Sequence, residues 1–408
     1  MVKRVVYIIL LSLCCCVAMA QDNARQWSIA PLPAPDVPTE IEDVDVSAHI
    51  DSAAIKKKDN IIVKFVKQLL MGNKDRTFEK AIDLSFAVYP SYSNESSFGL
   101  GGMVSGLYRI DKTDSILHPS DVKLLAGVSL TGQYNVSIEG HNFFDRYQRL
   151  NYKVEFQNRP LNFWGISYDA CCHNPMSTYT RQGLSLEADY TYMVYPNLYV
   201  GCALDVRYNY LSKIADVAYL QGQNEWYYFT GIGASITYDT RNSLTNPTQG
   251  VHIMLKEMVY PGFVGTAGKS IFSTTFIGNY YQRMWKGSVL AFDVYGEYNG
   301  ENVPWPLRPE LGEGSSRMRG FYRGRYIDNN MLSGQVELRQ HIYKRFGAVV
   351  WVGCGSVFPS FKELKGSDFL LNYGLGVRFE FKHNINFRVD YGFGKEMGGF
   401  VITLAEAF

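Results

Sequence analysis

The sequence predicts an all-β fold: a transmembrane antiparallel β-barrel of about 16 strands with a short N-terminal periplasmic extension. From about residue 80 onward, apolar and polar residues alternate with the period of a strand that has two different faces. Beyond residue 20, no stretch approaches the roughly eighteen apolar residues of a membrane helix, so strands would have to cross the bilayer. Aromatic residues at 14%, 37 glycines and only 19% charged residues are typical of such a barrel.

Residues 1–20, MVKRVVYIILLSLCCCVAMA, have the pattern of a secretory signal peptide. Two basic residues precede an apolar run, and Ala18-Met19-Ala20 provides an A-x-A cleavage site ahead of Gln21. A lipoprotein signal is the alternative, but it needs a small residue before the lipidated cysteine, and Leu13 precedes Cys14. We therefore predict cleavage after Ala20 and export to the outer membrane of a Gram-negative bacterium.

Residues 21–76 lack strand alternation. They open with the Pro-rich APLPAPDVP, which predicts an extended linker, and continue into one short amphipathic helix near residues 57–71. This helix could bind the membrane surface or the barrel mouth, or could be only a marginal linker helix. The barrel domain is predicted to occupy residues 77–408.

The predicted strands alternate between long and short connections. An even number of strands places both ends of the barrel domain on the periplasmic side, where turns such as YPN, WKG and KHNIN are short. The long connections at 158–182, 211–225 and 299–332 then fall on the outer side, as expected. The predicted strands are 80–92, 98–110, 122–130, 133–143, 149–157, 183–194, 198–210, 226–238, 250–260, 270–283, 287–298, 333–342, 347–356, 368–381, 385–394 and 399–408.

Charge and residue spacing exclude several function classes. Without Lys3 and Arg4 of the leader, the 40 basic residues become 38 against 39 acidic ones, which gives no basis for nucleic-acid binding. The seven histidines show no metal-binding spacing, so no metal site and no cofactor are expected. No nucleophile lies near a histidine and a polar orienting residue on one strand face, so the chain is not expected to be an enzyme.

One stretch, residues 317–330 with the sequence RMRGFYRGRYIDNN, interrupts the strand pattern with arginine, glycine and aromatic residues. Arginine carries a planar fork of donors that can hold a carboxylate at two points, and glycine lets the backbone pass close to a wall. These residues predict a loop that folds back into the barrel. The alternative is a surface loop whose arginines contact lipopolysaccharide.

This stretch resembles the sixth-loop signature of the BamA/TamA outer-membrane assembly superfamily, also called the bacterial surface antigen family. The family pattern (V/I)-R-G-(F/Y) and its GRYRDN continuation match adjacent segments in register. The resemblance implies a loop inside the barrel lumen. The matching residues are Arg319, Gly320, Phe321, Gly324, Arg325, Tyr326, Asp328 and Asn329.

A second resemblance lies at residues 238–250, YDTRNSLTNPTQG. The family's periplasmic turn reads Y-D-x-R-x-N-P-x-x-P-x-x-G, and Asp239, Arg241, Pro247 and Gly250 match it with one proline missing. Composition alone would be explained by an ordinary Asn/Pro/Gly turn. The Asp-x-Arg entry favours the family turn.

The resemblance also implies partners for the loop arginine on the barrel wall. Glu337 matches the carboxylate that receives the arginine in the family, while Gly353 stands where a second carboxylate is usual. Asp390 or Glu380 would then stand in for the missing aspartate.

The last predicted strand ends on Phe408, in phase with Phe400, and such a terminal aromatic is the usual assembly signal of these barrels. This strand must close the barrel against the first one. Gly398 and Gly399, with small residues near the end, predict a short, poorly packed seam.

Two function classes follow. Relatives that assemble other proteins carry periplasmic POTRA modules of roughly 75 residues, which residues 21–76 do not encode, so the chain resembles the short, POTRA-less members. It could assist insertion or translocation of proteins at the outer membrane, with nascent outer-membrane proteins or periplasmic and lipoprotein partners. It could also be a passive pore or structural barrel without assembly activity. Either would be surrounded by outer-membrane lipids and lipopolysaccharide.

Overall fold

The computed structural model describes residues 77–113, 117–300, 303–312, 316–382, 385–395, 397–404 and 406–408. The predicted leader and linker helix lie outside these residues. Sixteen strands run in chain order through the described part: β1 Asp83–Ser93, β2 Ser97–Tyr108, β3 Ser120–Ser129, β4 Tyr134–Phe143, β5 Gln148–Phe163, β6 Ser177–Tyr195, β7 Leu198–Ser212, β8 Trp226–Asp239, β9 Gly250–Tyr260, β10 Ile271–Arg283, β11 Ser288–Tyr298, β12 Asn330–Tyr343, β13 Phe346–Phe358, β14 Leu370–Lys382, β15 Ile385–Gly394 and β16 Met397–Leu404.

Each strand pairs antiparallel with its neighbours in sequence, and β1 meets β16 to close the barrel. The predicted all-β class and the number of strands are therefore confirmed. A short helix, α1 (Tyr168–His173), and three 3₁₀ turns (Val217–Leu220, Trp305–Leu307 and Gly366–Asp368) lie in the connections. Within the described ranges, no helix has the length and apolar character needed to cross a membrane.

The two faces of the strands follow the predicted alternation. On β14, Leu371, Tyr373 and Leu375 point outward and are 65%, 58% and 56% exposed. Asn372 and Arg378 point inward, at 0% and 5% exposure. The outer face is therefore an apolar surface suited to lipid, and the polar face lines a lumen.

Strands β5 and β6 are longer than predicted, and the connection between them shrinks to residues 164–176. The extra strand residues include Leu161, Phe163 and Tyr179, which point inward and are buried. Their apolar side chains break the alternation expected of a strand with a polar inner face. They are apolar because they pack against a loop inside the barrel rather than against water.

That loop, residues 299–329, connects β11 to β12 and is called the luminal loop here. Among its described residues Trp305, Leu311 and Phe321 are at most 5% exposed and join a cluster that includes Phe229 of β8. The apolar core of the protein thus lies inside the barrel, between the wall and the luminal loop. The descending and returning segments of the luminal loop are joined by an isolated antiparallel β-bridge between Glu310 and Ile327.

The last strand is shorter than predicted, because β16 ends at Leu404 and the described residues after it are not in the strand. Phe408 does not continue the outward row begun by Phe400. Its ring instead lies 6.2 Å from that of Tyr281, a buried residue on the inner face of β10. The chain therefore turns inward at its end, at the end of the barrel where the turns are short.

Candidate functional site in the barrel lumen

The luminal loop rests directly on the backbone of β15. Gly320 has φ of +101°, in the region that favours glycine, and a Cβ atom there would lie 2.6 Å from the backbone of Gly392. A Cβ on Gly392 would in turn lie 2.3 Å from the carbonyl oxygen of Arg319. The ring of Phe321 lies against Gly394, one inward position further along the same strand. Only a pair of facing glycines permits so close an approach of two backbones.

The Arg319 guanidinium is enclosed by the barrel wall. Its Nη2 donates to Glu337 Oε2 at 2.5 Å, and its Nη1 donates to Asp390 Oδ2 at 2.8 Å. Gln335 Oε1 accepts a longer bond of 3.3 Å from Nη2, and the Trp351 ring centroid lies 3.7 Å from the guanidinium carbon. The side chains of Arg319, Glu337 and Asp390 are all 0% exposed. This is a dry, charge-assisted clamp between the loop and three wall strands.

Each of the two carboxylates also binds arginines of the wall. Glu337 Oε1 accepts from Arg339 Nε at 2.8 Å. Asp390 Oδ1 accepts from Arg378 Nη1 at 2.5 Å, and Arg388 Nη1 lies 3.4 Å from its other oxygen. Breaking the clamp would therefore leave buried charges on both the loop and the wall.

A third carboxylate, Glu406, extends this network to the end of the chain. Glu406 Oε2 accepts from Arg378 Nε at 2.9 Å and lies 3.9 Å from Arg339 Nε, while its Oε1 accepts from Asn386 at 2.6 Å. Sequence reasoning missed Glu406, because the strand predicted to reach residue 408 would place it on the lipid-facing row with Phe400. A carboxylate at that position was the signal that the strand ends earlier.

The clamp lacks the carboxylate expected at Gly353, and the structure shows why none fits there. A Cβ atom at Gly353 would lie 2.6 Å from Asn372 Oδ1 and 2.9 Å from Gln335 Cβ. Of the two predicted substitutes, Asp390 binds Arg319, whereas Glu380 lies near the β14–β15 turn, opposite Asn386 in the register. Asn372 contributes differently, by donating to the Arg319 carbonyl at 3.2 Å.

The second half of the loop motif fixes the outer part of the luminal loop. Gly324 has φ of +75°, and Asp328 accepts from the backbone N–H groups of Tyr168 at 2.9 Å and Asn329 at 2.7 Å. Asn329 in turn donates to the Pro359 carbonyl at 3.3 Å.

Arg325 anchors the loop to the β5–β6 connection. It donates to the Cys171 carbonyl in α1, and its guanidinium lies 4.8 Å from the ring centroids of both Trp164 and Tyr326. Arg325, Asp328 and Asn329 therefore tie the loop to neighbouring connections rather than to the buried clamp.

The turn between β8 and β9 lies at the short-turn end of the barrel. Arg241 donates to both carboxylate oxygens of Asp239, at 2.9 and 2.8 Å, and Gly250 has φ of +111°. The Pro247 carbonyl lies 3.5 Å from Nη1 of Arg339, so the turn reaches the arginine that binds Glu337. The two segments that resemble family motifs are thus linked through one wall arginine.

Phe408 contacts the same arginine. Its carbonyl accepts from Arg339 Nη2 at 3.0 Å, and its ring centroid lies 5.2 Å from the guanidinium carbon. The predicted role of Phe408 as an assembly signal stays a prediction, and in the folded barrel the residue has an inward-facing position.

We expect Glu406→Gln to lower the free energy of unfolding by about 1.5–3 kcal/mol, the range for a hydrogen bond to a charged group. The loss stays below that of a stranded ion pair because Arg378 keeps Asp390 as a partner. Denaturant titration of the folded barrel in detergent measures the difference. Glu363→Gln, in the exposed β13–β14 connection, is the control and should change stability by less than about 0.5 kcal/mol. Equal effects of the two variants would contradict the conclusion that residues 406–408 are held in place by the charge of Glu406.

The seam between β1 and β16 is far shorter than any other strand pairing among the described residues. Tyr92 and Ile402 form its single register pair, whereas β15 and β16 share pairs from Phe387–Leu404 to Gly394–Met397. In an antiparallel pairing, moving two residues forward on one strand means moving two residues back on the other. Counted from the Tyr92–Ile402 pair, Leu404 at the end of β16 therefore lies opposite Pro90. The part of β1 from Asp83 to Tyr89 therefore has no residue of β16 beside it.

A cavity of about 260 Å³ lies at this seam. Its lining includes Ser91 to Ser96 from the end of β1 and the turn that follows, Phe400 to Thr403 from β16, and Arg319, Gly320 and Phe321 from the luminal loop. The clamped tripeptide therefore borders the space behind the weakest strand pairing of the barrel.

Comparison with known proteins identifies the class of barrel. The family model described as the Omp85 superfamily domain matches residues 120–402, which is more than half of the chain. The chain therefore belongs to the Omp85 superfamily. Membership in this superfamily and a 16-strand barrel indicate the outer membrane of a Gram-negative bacterium.

Two solved structures show how widely the fold is shared. The crystal structure of BamA from Haemophilus ducreyi lacking POTRA domains 1–3 is 14% identical, with a TM-score of 0.52 over 79% of this chain and 70% of that chain. CdiB from Escherichia coli is 11% identical, with a TM-score of 0.53 over 84% of this chain and 70% of that chain. At these identities the likeness concerns the fold. A search of curated protein sequences found no match.

Proposed function

We propose that this barrel assists the insertion or translocation of proteins at the outer membrane by pairing a client strand with the open edge of β1. The observation that carries the proposal is the seam, where one register pair joins β1 to β16 and no strand among the described residues pairs with Asp83 to Tyr89 on that side. The proposed activity breaks no covalent bond and needs no catalytic residue. The resemblance to the BamA/TamA assembly superfamily supports the same activity.

The edge of β1 has the chemistry of a strand template. An unpaired edge presents backbone N–H and C=O groups that bind another strand in register. Leu84, Phe86 and Val88 face outward from this edge and are 55–65% exposed, so a strand added here would continue the apolar outer surface. A client with alternating apolar residues would match both the backbone and the outer face.

The luminal loop supports a path that opens at the seam rather than through the middle of the barrel. Buried residues of the loop occupy the lumen, and the Arg319 clamp holds them against β12 and β15. A passive pore would require a path past this loop. The same clamp would also serve a structural barrel without assembly activity, and the experiment below distinguishes the two.

A disulfide across the seam should prevent β1 from parting from β16 as a client strand pairs along β1, and should therefore abolish insertion while leaving the barrel folded. Tyr92→Cys with Ile402→Cys places two thiols at the one register pair of β1 and β16, where neighbouring strands bring Cβ atoms to about 4.5–5.5 Å. The readout is folding of an unfolded small outer-membrane barrel into lipid vesicles that contain the oxidised variant. Reduction with a thiol should restore the activity.

A matched crosslink elsewhere in the barrel is the control. Leu255→Cys with Phe276→Cys joins β9 to β10 at a register pair within a long strand pairing. It should leave insertion unchanged. Full activity of a verified seam crosslink, or no acceleration by the uncrosslinked protein, would leave only the passive or structural barrel.

A further inference from the structure

Arg159 of β5 lines two cavities inside the barrel. It lines the seam cavity and a second cavity of about 320 Å³ between β5, β6, β7 and the luminal loop. Arg323 of the luminal loop lines both cavities as well. Two guanidinium groups, one from the wall and one from the loop, therefore border both cavities.

A third arginine lies directly beside them. Arg159 and Arg181 are register partners on β5 and β6, an arrangement of like charges that is unfavourable unless something neutralises it. Glu310 neutralises part of the charge, because it binds Arg181 at 2.6 Å and Arg323 at 2.9 Å. Burial by itself would raise the pKa of Glu310, but Arg323 and Arg181 outweigh it and hold that pKa below its ordinary value. Glu310 is thus a carboxylate already shared by two arginines.

In the part of the chain that the structure describes, the Arg159 guanidinium donates no hydrogen bond to another residue. Its ion pair with a described residue is a 3.7 Å contact with Glu155, beyond hydrogen-bond length. Glu155 is also bound by Lys153, at 3.1 Å. The Arg159 side chain is 22% exposed although it points into the barrel, so its accessible surface faces the cavities. A planar cation with free donors borders enclosed space next to two further arginines.

We propose that Arg159, Arg181 and Arg323 form a luminal binding site for a phosphate group. Phosphate offers several acceptor oxygens around one centre, which suits donors that converge from a wall strand, its neighbour and a loop. A charge of about −2 would offset the facing pair of arginines on β5 and β6. The phosphate could be inorganic, or it could belong to the headgroup of an outer-membrane lipid that enters at the seam.

Calorimetric titration of the detergent-solubilised barrel with inorganic phosphate tests the site. The wild-type protein should bind phosphate saturably, and Arg159→Gln should weaken binding by roughly tenfold or more, since one charge-assisted contact is lost. Arg159→Lys keeps the charge without the fork and should fall between the two. Arg283→Gln, an exposed arginine at the short-turn end, should bind like wild type.

Native mass spectrometry separates the two sources of phosphate. The site would be assigned to a lipid headgroup if the wild-type protein retained doubly phosphorylated lipid A but not the dephosphorylated form, and if Arg159→Gln retained neither. Saturable binding of inorganic phosphate without lipid retention would assign it to the free ion. The proposal would be overturned if the wild-type protein did not bind phosphate, or if Arg159→Gln bound phosphate as tightly as wild type. It would also be overturned if chloride at the same concentration gave the same binding signal as phosphate. These outcomes do not depend on whether the barrel inserts proteins.

Discussion

Arg319→Ala should lower the free energy of unfolding by about 3–5 kcal/mol, the cost of removing one partner from a buried ion pair. In a wet lumen the loss would be only about 0–1 kcal/mol. The larger value applies because the side chains of Arg319, Glu337 and Asp390 are all 0% exposed. The substitution also removes the Trp351 contact and leaves two carboxylates facing the vacated space. Denaturant titration in detergent measures the loss, and protease cleavage within the luminal loop should accelerate.

A double-mutant cycle with Glu337→Ala isolates the pairwise part of this effect. We expect the two substitutions together to cost clearly less than the sum of the single losses, because each one alone leaves a buried charge behind. A coupling energy indistinguishable from zero would show that the clamp does not hold the loop by charge.

Arg325→Ala is the matched comparison within the same loop. Arg325 donates to the Cys171 carbonyl and stacks near Trp164 and Tyr326, but it is only partly buried and binds no carboxylate in the clamp. We expect a loss of about 1–2 kcal/mol from one hydrogen bond and two partly exposed cation–π contacts. A loss as large as that of Arg319→Ala would mean that the loop is held by its outer part.

Gly392→Ala should displace the luminal loop without changing any charge. The added Cβ atom would lie 2.3 Å from the Arg319 carbonyl oxygen and 2.8 Å from the Gly320 nitrogen, so backbone on one side must move. Overpacking of this kind costs about 1–3 kcal/mol, and here the shift also pulls Arg319 from its carboxylates, so we expect a loss of about 3 kcal/mol or more.

Gly334→Ala is the control for this substitution. Gly334 lies within β12, and the nearest atom to an added Cβ there is 3.7 Å away, an ordinary contact. It should change stability by less than about 1 kcal/mol. Combining Gly392→Ala with Arg319→Ala should add little to either single effect. Full additivity would indicate that Gly392 acts independently of the clamp.

Much of the fold could be predicted from residue alternation. On β14, outward Leu371 and Leu375 and inward Asn372 and Arg378 follow the period of two from Leu371 to Arg378. Lipid on one side and a polar lumen on the other impose this period locally, so each strand can be recognised without knowing its neighbours. The placement of Arg319 beside Glu337 followed from a motif match rather than from alternation.

The alternation of apolar and polar residues gave wrong strand bounds where one face of a strand contacts another part of the protein instead of lipid or water. Leu161 and Phe163 of β5 face inward yet are apolar, because the luminal loop covers them. Glu406 occupies an outward phase by counting but lies among inward arginines, because the chain leaves the strand before it. In both cases the partner lies more than a hundred positions away or on another strand, so no local pattern contains it.

By itself, the sequence determined that this protein is a barrel of 16 strands with an arginine loop, because amphipathic periodicity and motif residues are properties of short segments. Only the tertiary structure decided that Asp390 rather than Glu380 completes the clamp, since that choice depends on the register of β14 against β15. It also decided the length of the seam. How far β1 and β16 overlap depends on the stagger accumulated around all sixteen strands, and no single strand encodes that sum.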